Sequence, residues 1–212
     1  NREHQPVGMY ISLSGHSTQA ERSRLQAGLS RPLIKRIWQQ IVRAKVYSQA
    51  SLLAETHGSD AGLFQLVSEI RSGDTGYTES TAAQRYWPLL FDDPAFLRKR
   101  DAPDQNRFLN YGYAVLHACT ARTLTAIGLN PALGVHHRNK YNAYCLASDL
   151  MEPFRAWVDE AVIEVVGCHG SDAAMSREIR GQLISSVMDR RESNGELRSG
   201  PDIIQRAAWS LL

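Results

Sequence analysis

Along residues 6–14, PVGMYISLS, apolar and polar positions alternate. Val7, Met9, Ile11 and Leu13 share one face and Gly8, Tyr10, Ser12 and Ser14 the other, the period of a half-buried strand. A lone strand is not stable in water. The alternation therefore predicts a strand that pairs with another subunit or closes a β domain preceding it, with GHST (15–18) as a linker. From there on the spacing is helical. Ser30 reads as an N-cap with Pro32 in the first turn, followed by Leu33, Ile34, Ile37, Trp38, Ile41 and Val42 on one face and Arg36, Gln40 and Arg43 on the other. Further helices are predicted at about 61–71, ending at Gly73, and at about 77–90, stopping at FDDP. A long one runs from Asp104 to a C-cap at Gly128. The next, from a cap at Asn142, covers about 143–166, and two more cover about 172–192 and 201–212. SNGELRSGP separates the last two as a turn-rich connection. Trp38, Trp87, Trp157 and Trp209 fall on these helices as core anchors.

The composition fits this picture and narrows it. At 212 residues, 43% hydrophobic and 22% charged, the chain is an ordinary globular one with length for one good core. Its apolar runs fall far short of a membrane span, and the start, NREHQPVG, has no apolar signal segment. The expectation is a soluble cytoplasmic protein with no membrane partner. Cys119, Cys145 and Cys168 form no metal-binding spacing and read as buried free thiols. The net charge of +2 says little. From Arg22 to Lys45, however, seven basic residues occur without one acid. That patch reads equally as a solvated face or as a contact for DNA.

The densest chemistry lies at 133–155, LGVHHRNKYNAYCLASDLMEPFR. Asp149 and Glu152 are three apart and share a helix face. Pro153 follows at a place where a helix interior would lose about 3 kcal/mol to it, so a bend is predicted beside the acids. The plain reading is a packing kink with two solvated carboxylates. The sharper one joins His136 or His137 to these acids as ligands for Mg²⁺ or Mn²⁺, with Arg138, Lys140 and Arg155 supplying charge for a phosphate. Spacing leaves the third ligand open among Glu79, Asp104 and Glu178. Cys168-His169 has no partner pair for zinc, no glycine-rich phosphate loop carries its Lys-Ser/Thr, and no G-x-S-x-G elbow occurs.

GVHHRNKYNAYCLASDLMEPFR resembles the signature of the universal CRISPR-associated integrase of spacer acquisition, in the variant found beside single-protein RNA-guided effector nucleases. SGHSTQAERSRLQAGLSRPLIKRIWQQIVRAKVYSQA, ESTAAQRYWPLLF and NRFLNYGYAVLHACTARTLTAIGLNPALG match that family in order and spacing. The resemblance implies an all-α catalytic domain at 21–212, with 1–20 as the last strand and linker of an N-terminal β domain otherwise missing from this chain. It implies Glu79, His137 and Glu152 as ligands of Mg²⁺ or Mn²⁺, with Asp149 as an auxiliary catalytic group. Arg36, Arg43, Arg138, Lys140 and Arg155 are then expected to meet DNA, with Asn139 and Asn142 at matching family positions. The implied reaction is attack by a captured DNA's 3′-hydroxyl on a phosphodiester of the CRISPR array, with cleavage of DNA when water attacks instead. The implied partners are double-stranded and branched DNA, a second copy in a homodimer, and a smaller second CRISPR-associated protein, in a prokaryotic cytoplasm. The alternative reading is a non-catalytic DNA-binding scaffold of the same adaptation complex.

Overall fold

A computed structural model describes residues 1, 4–9, 18–100, 102–193 and 195–211. Among these the architecture is all-α with one small hairpin: α1 (Gln19–Ala27), α2 (Arg31–His57), α3 (Leu63–Glu69), α4 (Thr78–Leu90), α5 (Asn106–Ala126), α6 (Cys145–Leu150), α7 (Arg155–His169) and α8 (Arg177–Met188) lead to strands β1 (Arg190–Ser193) and β2 (Glu196–Ser199) and then α9 (Gly200–Trp209). Residues 10–14 of the expected strand lie outside the described residues, and 6–9 carry no strand.

Two helices organise the rest. α2 starts as its sequence predicts: the Ser30 hydroxyl accepts from Leu33 N at 3.4 Å and Pro32 sits in the first turn. It buries Trp38, Ile41, Val42, Val46, Ala50, Leu52 and Leu53 against α3, α4 and α7. Each large side chain so buried contributes roughly 1.5–3 kcal/mol before entropy is charged against it. α5 begins two residues after Asp104, whose carboxylate accepts from Asn106 N at 2.9 Å, and packs on α6, α7, α8 and α9. α7 touches both α2 and α5 and closes the core between them. α5 and α7 approach closely because residue 112 is glycine: a Cβ there would collide with Val158.

Four expectations are corrected. The predicted helix at 143–166 is two helices, separated by a tight turn at Glu152–Phe154. Pro153 lies in the first positions of that turn, where no backbone donor is needed, so the chain breaks where a kink was expected. SNGELRSGP is no plain connection: it carries the end of β1, all of β2 and the Gly200-Pro201 start of α9, with Arg191 opposite Arg198 and Ser193 opposite Glu196. Cys168 is exposed, while Cys119 and Cys145 are buried, and all three are free. Trp209 is 41% exposed beneath the Arg22 guanidinium and does not anchor the core as Trp38 does.

α1 was not foreseen. It buries no residue. Gln19, Arg22 and Gln26 instead donate to the carbonyls of Gly128, Ile127 and Asn130 at 2.7–2.8 Å, tying α1 to the end of α5.

Candidate active site

Three elements converge. α4 presents Glu79 from its first turn, and Asp74 aims it: its carboxylate accepts from Thr78 N at 3.0 Å and Glu79 N at 3.1 Å, capping the helix. Asp74 and Tyr77 both adopt left-handed backbone (φ 48° and 53°) in this approach, a conformation non-glycine residues hold only where surroundings enforce it. The turn after α6 presents Glu152, which is 5% exposed. α2 brings Lys45 between them. Its ammonium lies 2.5 Å from Glu79 Oε1 and 2.6 Å from Glu152 Oε2, and Arg155 Nη2 holds the other Glu152 oxygen at 2.7 Å.

His137 stands beside this group in the loop from Gly134. Asp149, fully buried, shapes that loop. One carboxylate accepts from the backbone of Val135 (2.6 Å), His136 (2.9 Å) and His137 (3.1 Å), and from His137 Nδ1 at 2.5 Å. A carboxylate on one imidazole nitrogen orients the other, Nε2, toward a ligand. His136 stacks on Trp38 with ring centroids 4.1 Å apart. The two histidines therefore part company: His136 lines a cleft of about 550 Å³ with Trp38, Asp74, Tyr77 and Glu79, and His137 lines one of about 690 Å³ with Arg98, Arg100, His117, Ser148 and Arg155.

The electrostatics follow from burial and pairing. Burial pushes the Glu152 carboxyl up, but Lys45 and Arg155 pull it further down, to below the ordinary glutamate value. Burial lowers Lys45, and Glu152 with Glu79 outweigh it, so the ammonium is held above its usual range. The hydrogen bond to Asp149 holds His137 above the usual imidazole value against the opposing effect of burial. Behind the site Asp159, fully buried, accepts from Tyr113 OH at 2.5 Å and Tyr86 OH at 2.7 Å. Burial raises its carboxyl to about 6 even with both donors in place. Arg155 lies over the Tyr113 ring at 4.5 Å, which couples this buried network to Glu152.

Lys45 joins Glu79 to Glu152 and Asp149 holds His137, while Glu79 lines one cleft with His136 and His137 lines another with Arg155. Among the described residues, though, no three His, Cys, Asp or Glu side chains are gathered closely enough to hold a metal ion as they stand. The donor types nonetheless suit a hard divalent cation: two carboxylates already closed on one positive charge and an oriented imidazole. Glu152 Oε2 fits this too, being buried and meeting Lys45 as an ion pair without hydrogen-bond alignment. Of the expected DNA contacts, Arg36, Arg138, Asn139 and Lys140 are exposed. Arg43 donates to the Ile70 carbonyl at 3.2 Å and is partly buried. The side-chain oxygens of Asn139 and Asn142 are engaged locally, accepting from Tyr141 N and Tyr144 N at 2.9 and 2.8 Å. Arg155 is committed to Glu152 but lines the basic cleft. Lys45, Arg98 and Arg100 were missed. Lys45 had one signal, as the last cation of the acid-free run on α2; Arg98 and Arg100 lie between helices, where no periodicity marks them.

The fold and site define an all-α domain in which a buried carboxylate, Glu152, and a half-buried one, Glu79, close on a cation beside a basic cleft. The chain belongs to the family of CRISPR associated protein Cas1, which it matches over residues 1–170. It is 40% identical over 185 residues to the CRISPR-associated endonuclease Cas1 of Neisseria meningitidis serogroup C (strain 8013), covering 86% of this chain and 60% of that one. It spans about 60% of the length of this relative and of a second, the CRISPR-associated endonuclease Cas1 1 of Francisella tularensis subsp. novicida (strain U112). Two solved structures share its fold at 18% identity: a casposase bound to integration product, with a TM-score of 0.78 over 99% of this chain and 73% of that one, and a CAS1 protein from Thermotoga maritima, with 0.73 over 100% and 75%.

Proposed function

We propose that the chain is the catalytic part of a divalent-metal-dependent DNA integrase and endonuclease that inserts captured spacer DNA into a CRISPR array. The observation that carries this reading is the closure of Glu79 and Glu152, from separate elements, on a single positive charge within 2.6 Å of both. Glu79, Glu152 and His137 Nε2 would hold Mg²⁺ or Mn²⁺. Such an ion, when bound, supplies a Lewis acid to the scissile phosphate and eases loss of the attacking hydroxyl's proton. Asp149 fixes the His137 ring and so its open nitrogen. Arg155 offsets the charge of Glu152. With Arg98 and Arg100 it forms a cationic wall for the phosphates of the two strands. Attack by a 3′-hydroxyl forms one phosphorus–oxygen bond as another breaks, and the departing strand leaves with its own 3′-hydroxyl; water in the same place cuts instead. Arg36, Arg138 and Lys140 reach further phosphates, while Asn139 and Asn142 act by shaping the loop that carries them.

In this reading residues 1–20 end an N-terminal β domain and 21–212 form the catalytic domain. The complete protein works as a homodimer with a smaller second CRISPR-associated protein, on double-stranded and branched DNA in a prokaryotic cytoplasm. The test is strand transfer on a branched DNA with Mn²⁺ or Mg²⁺, comparing the protein with Glu79→Ala, His137→Ala and Glu152→Ala. Metal-dependent joining is expected, and its loss in all three variants. A folded protein that binds the DNA but neither joins nor cuts it would be the scaffold instead.

A further inference from the structure

Lys45 does more than lie near the acids. Its side chain is 15% exposed, and its ammonium is shared between an oxygen of Glu79 and one of Glu152 at nearly equal distance. With Arg155 on the second oxygen of Glu152, two cations stand against two carboxylates and the four charges cancel. A divalent ion held by Glu79 and Glu152 would compete for the volume the ammonium fills. Two cations cannot share that volume, because no oxygen lies between them to screen their repulsion.

We propose that Lys45 is the resident counter-cation of the Glu79–Glu152 pair, holding the two carboxylates in register without metal, and that a divalent ion enters only as the ammonium withdraws. The inference rests on the reading of Glu79 and Glu152 as metal ligands. Withdrawal has a chemical consequence. The ion and Arg155 then carry three positive charges against two carboxylates, and the surplus favours an anionic phosphodiester. Lys45 is thus a positioning residue: it sets the strength of metal binding and offsets the mutual repulsion of Glu79 and Glu152. The flexible four-carbon stem of lysine lets the charge turn aside without moving α2.

The test is calorimetric titration of the protein with Mn²⁺ alone, for wild type, Lys45→Met, Glu79→Gln and Glu152→Gln. Lys45→Met is expected to bind Mn²⁺ at least about tenfold more tightly, since one competing charge is gone. It is also expected to melt lower without metal and to gain more in Tm from Mn²⁺ than wild type does. Equal or weaker Mn²⁺ binding by Lys45→Met, with binding still lost in Glu79→Gln and Glu152→Gln, overturns the role of Lys45 and leaves the metal site standing. Mn²⁺ binding that is absent in wild type and Lys45→Met, or untouched by both glutamine variants, overturns the metal site itself. Should Lys45→Met not fold, the wild type suffices. The chain has four lysines, so ¹⁵N-lysine labelling resolves the Lys45 ammonium. Its signal is expected to shift or vanish into solvent exchange as Mg²⁺ saturates the site, and an unchanged signal at saturation refutes the displacement.

Discussion

At the scale of single residues, the buried groups divide into those that neutralise each other and one that does not. Glu152 has Lys45 and Arg155 as direct partners. Asp159 sits fully buried on α7 with the hydroxyls of Tyr86 and Tyr113 as its hydrogen-bond donors, and Arg155 and Arg98 act on it without a salt bridge. An aspartate in the unfolded chain titrates near 3.9, whereas this one is raised to about 6. The native state therefore holds its proton more tightly than the unfolded state. The sign follows: stability from this group is greatest below about pH 4, falls as pH rises toward 6, and stays at the lower level above that, a loss on the order of 2–3 kcal/mol. Asp159→Asn removes the buried charge. Its amide can accept from one tyrosine hydroxyl and donate to the oxygen of the other. Urea unfolding of wild type and Asp159→Asn from pH 4 to 7 is expected to show the variant gaining on wild type as pH rises. Parallel curves would mean that Asp159 stays ionised at no cost. The surroundings of Asp159 are invisible in the sequence, since nothing at residue 159 announces that α4 and α5 will bring Tyr86 and Tyr113 to it.

At the scale of elements, what was legible was what local chemistry decides. Ser30-Arg31-Pro32 starts α2, and Asp104 starts α5 within two residues. Pro153 marks the end of α6 correctly, but the sequence could not distinguish a kink from a break; tertiary contacts decide that, because α2 packs on the Glu152–Phe154 turn. α1 escaped notice because it has no buried face to leave a periodic trace. The β1–β2 hairpin was signalled by Asn194-Gly195 between two short runs, a turn pair that outranks the general polarity of the segment. The loop of residues 134–137 gives the sharpest element-scale prediction. A Cβ at Gly134 would strike the His137 carbonyl oxygen, lie 2.7 Å from the Cys145 Cβ and approach Asp149 Oδ2 to 3.0 Å. Gly134→Ala must push the loop off the Asp149 carboxylate that organises it. The expected result is a loss of roughly 1–3 kcal/mol, read as a lower Tm, together with loss of strand transfer while DNA binding persists. A variant as stable and active as wild type would show that the loop yields freely.

At the scale of the whole molecule, the site was legible as a list of residues and illegible as a surface. Glu79, His137, Asp149 and Glu152 were named from motifs, and the fold pairs Glu79 with Glu152 across Lys45 and His137 with Asp149; the cations around them come from α2, from the segment before α5 and from the loop after His137, distances in sequence that no motif spans. His137 lies on the walls of two clefts, one carrying Arg98, Arg100 and Arg155 and the other Arg138 and Lys140. A chain of net charge +2 thus concentrates positive potential at the mouth of its site. If phosphates are held there, affinity for duplex DNA should fall with salt, with a log–log slope of about −0.9 for each phosphate neutralised. Replacing the exposed Arg100, Arg138 and Lys140 by alanine should flatten that slope by up to about 2–3, alike for unrelated DNA sequences and with little change in Tm. Arg43→Ala serves as the contrast. Its guanidinium is spent on the Ile70 carbonyl, so its loss should lower Tm and leave the salt slope nearly unchanged. Fluorescence anisotropy of a labelled duplex across a salt series separates the outcomes. A triple variant with the wild-type slope would move the DNA away from these clefts, and a flattened slope in Arg43→Ala would extend the DNA path across α2.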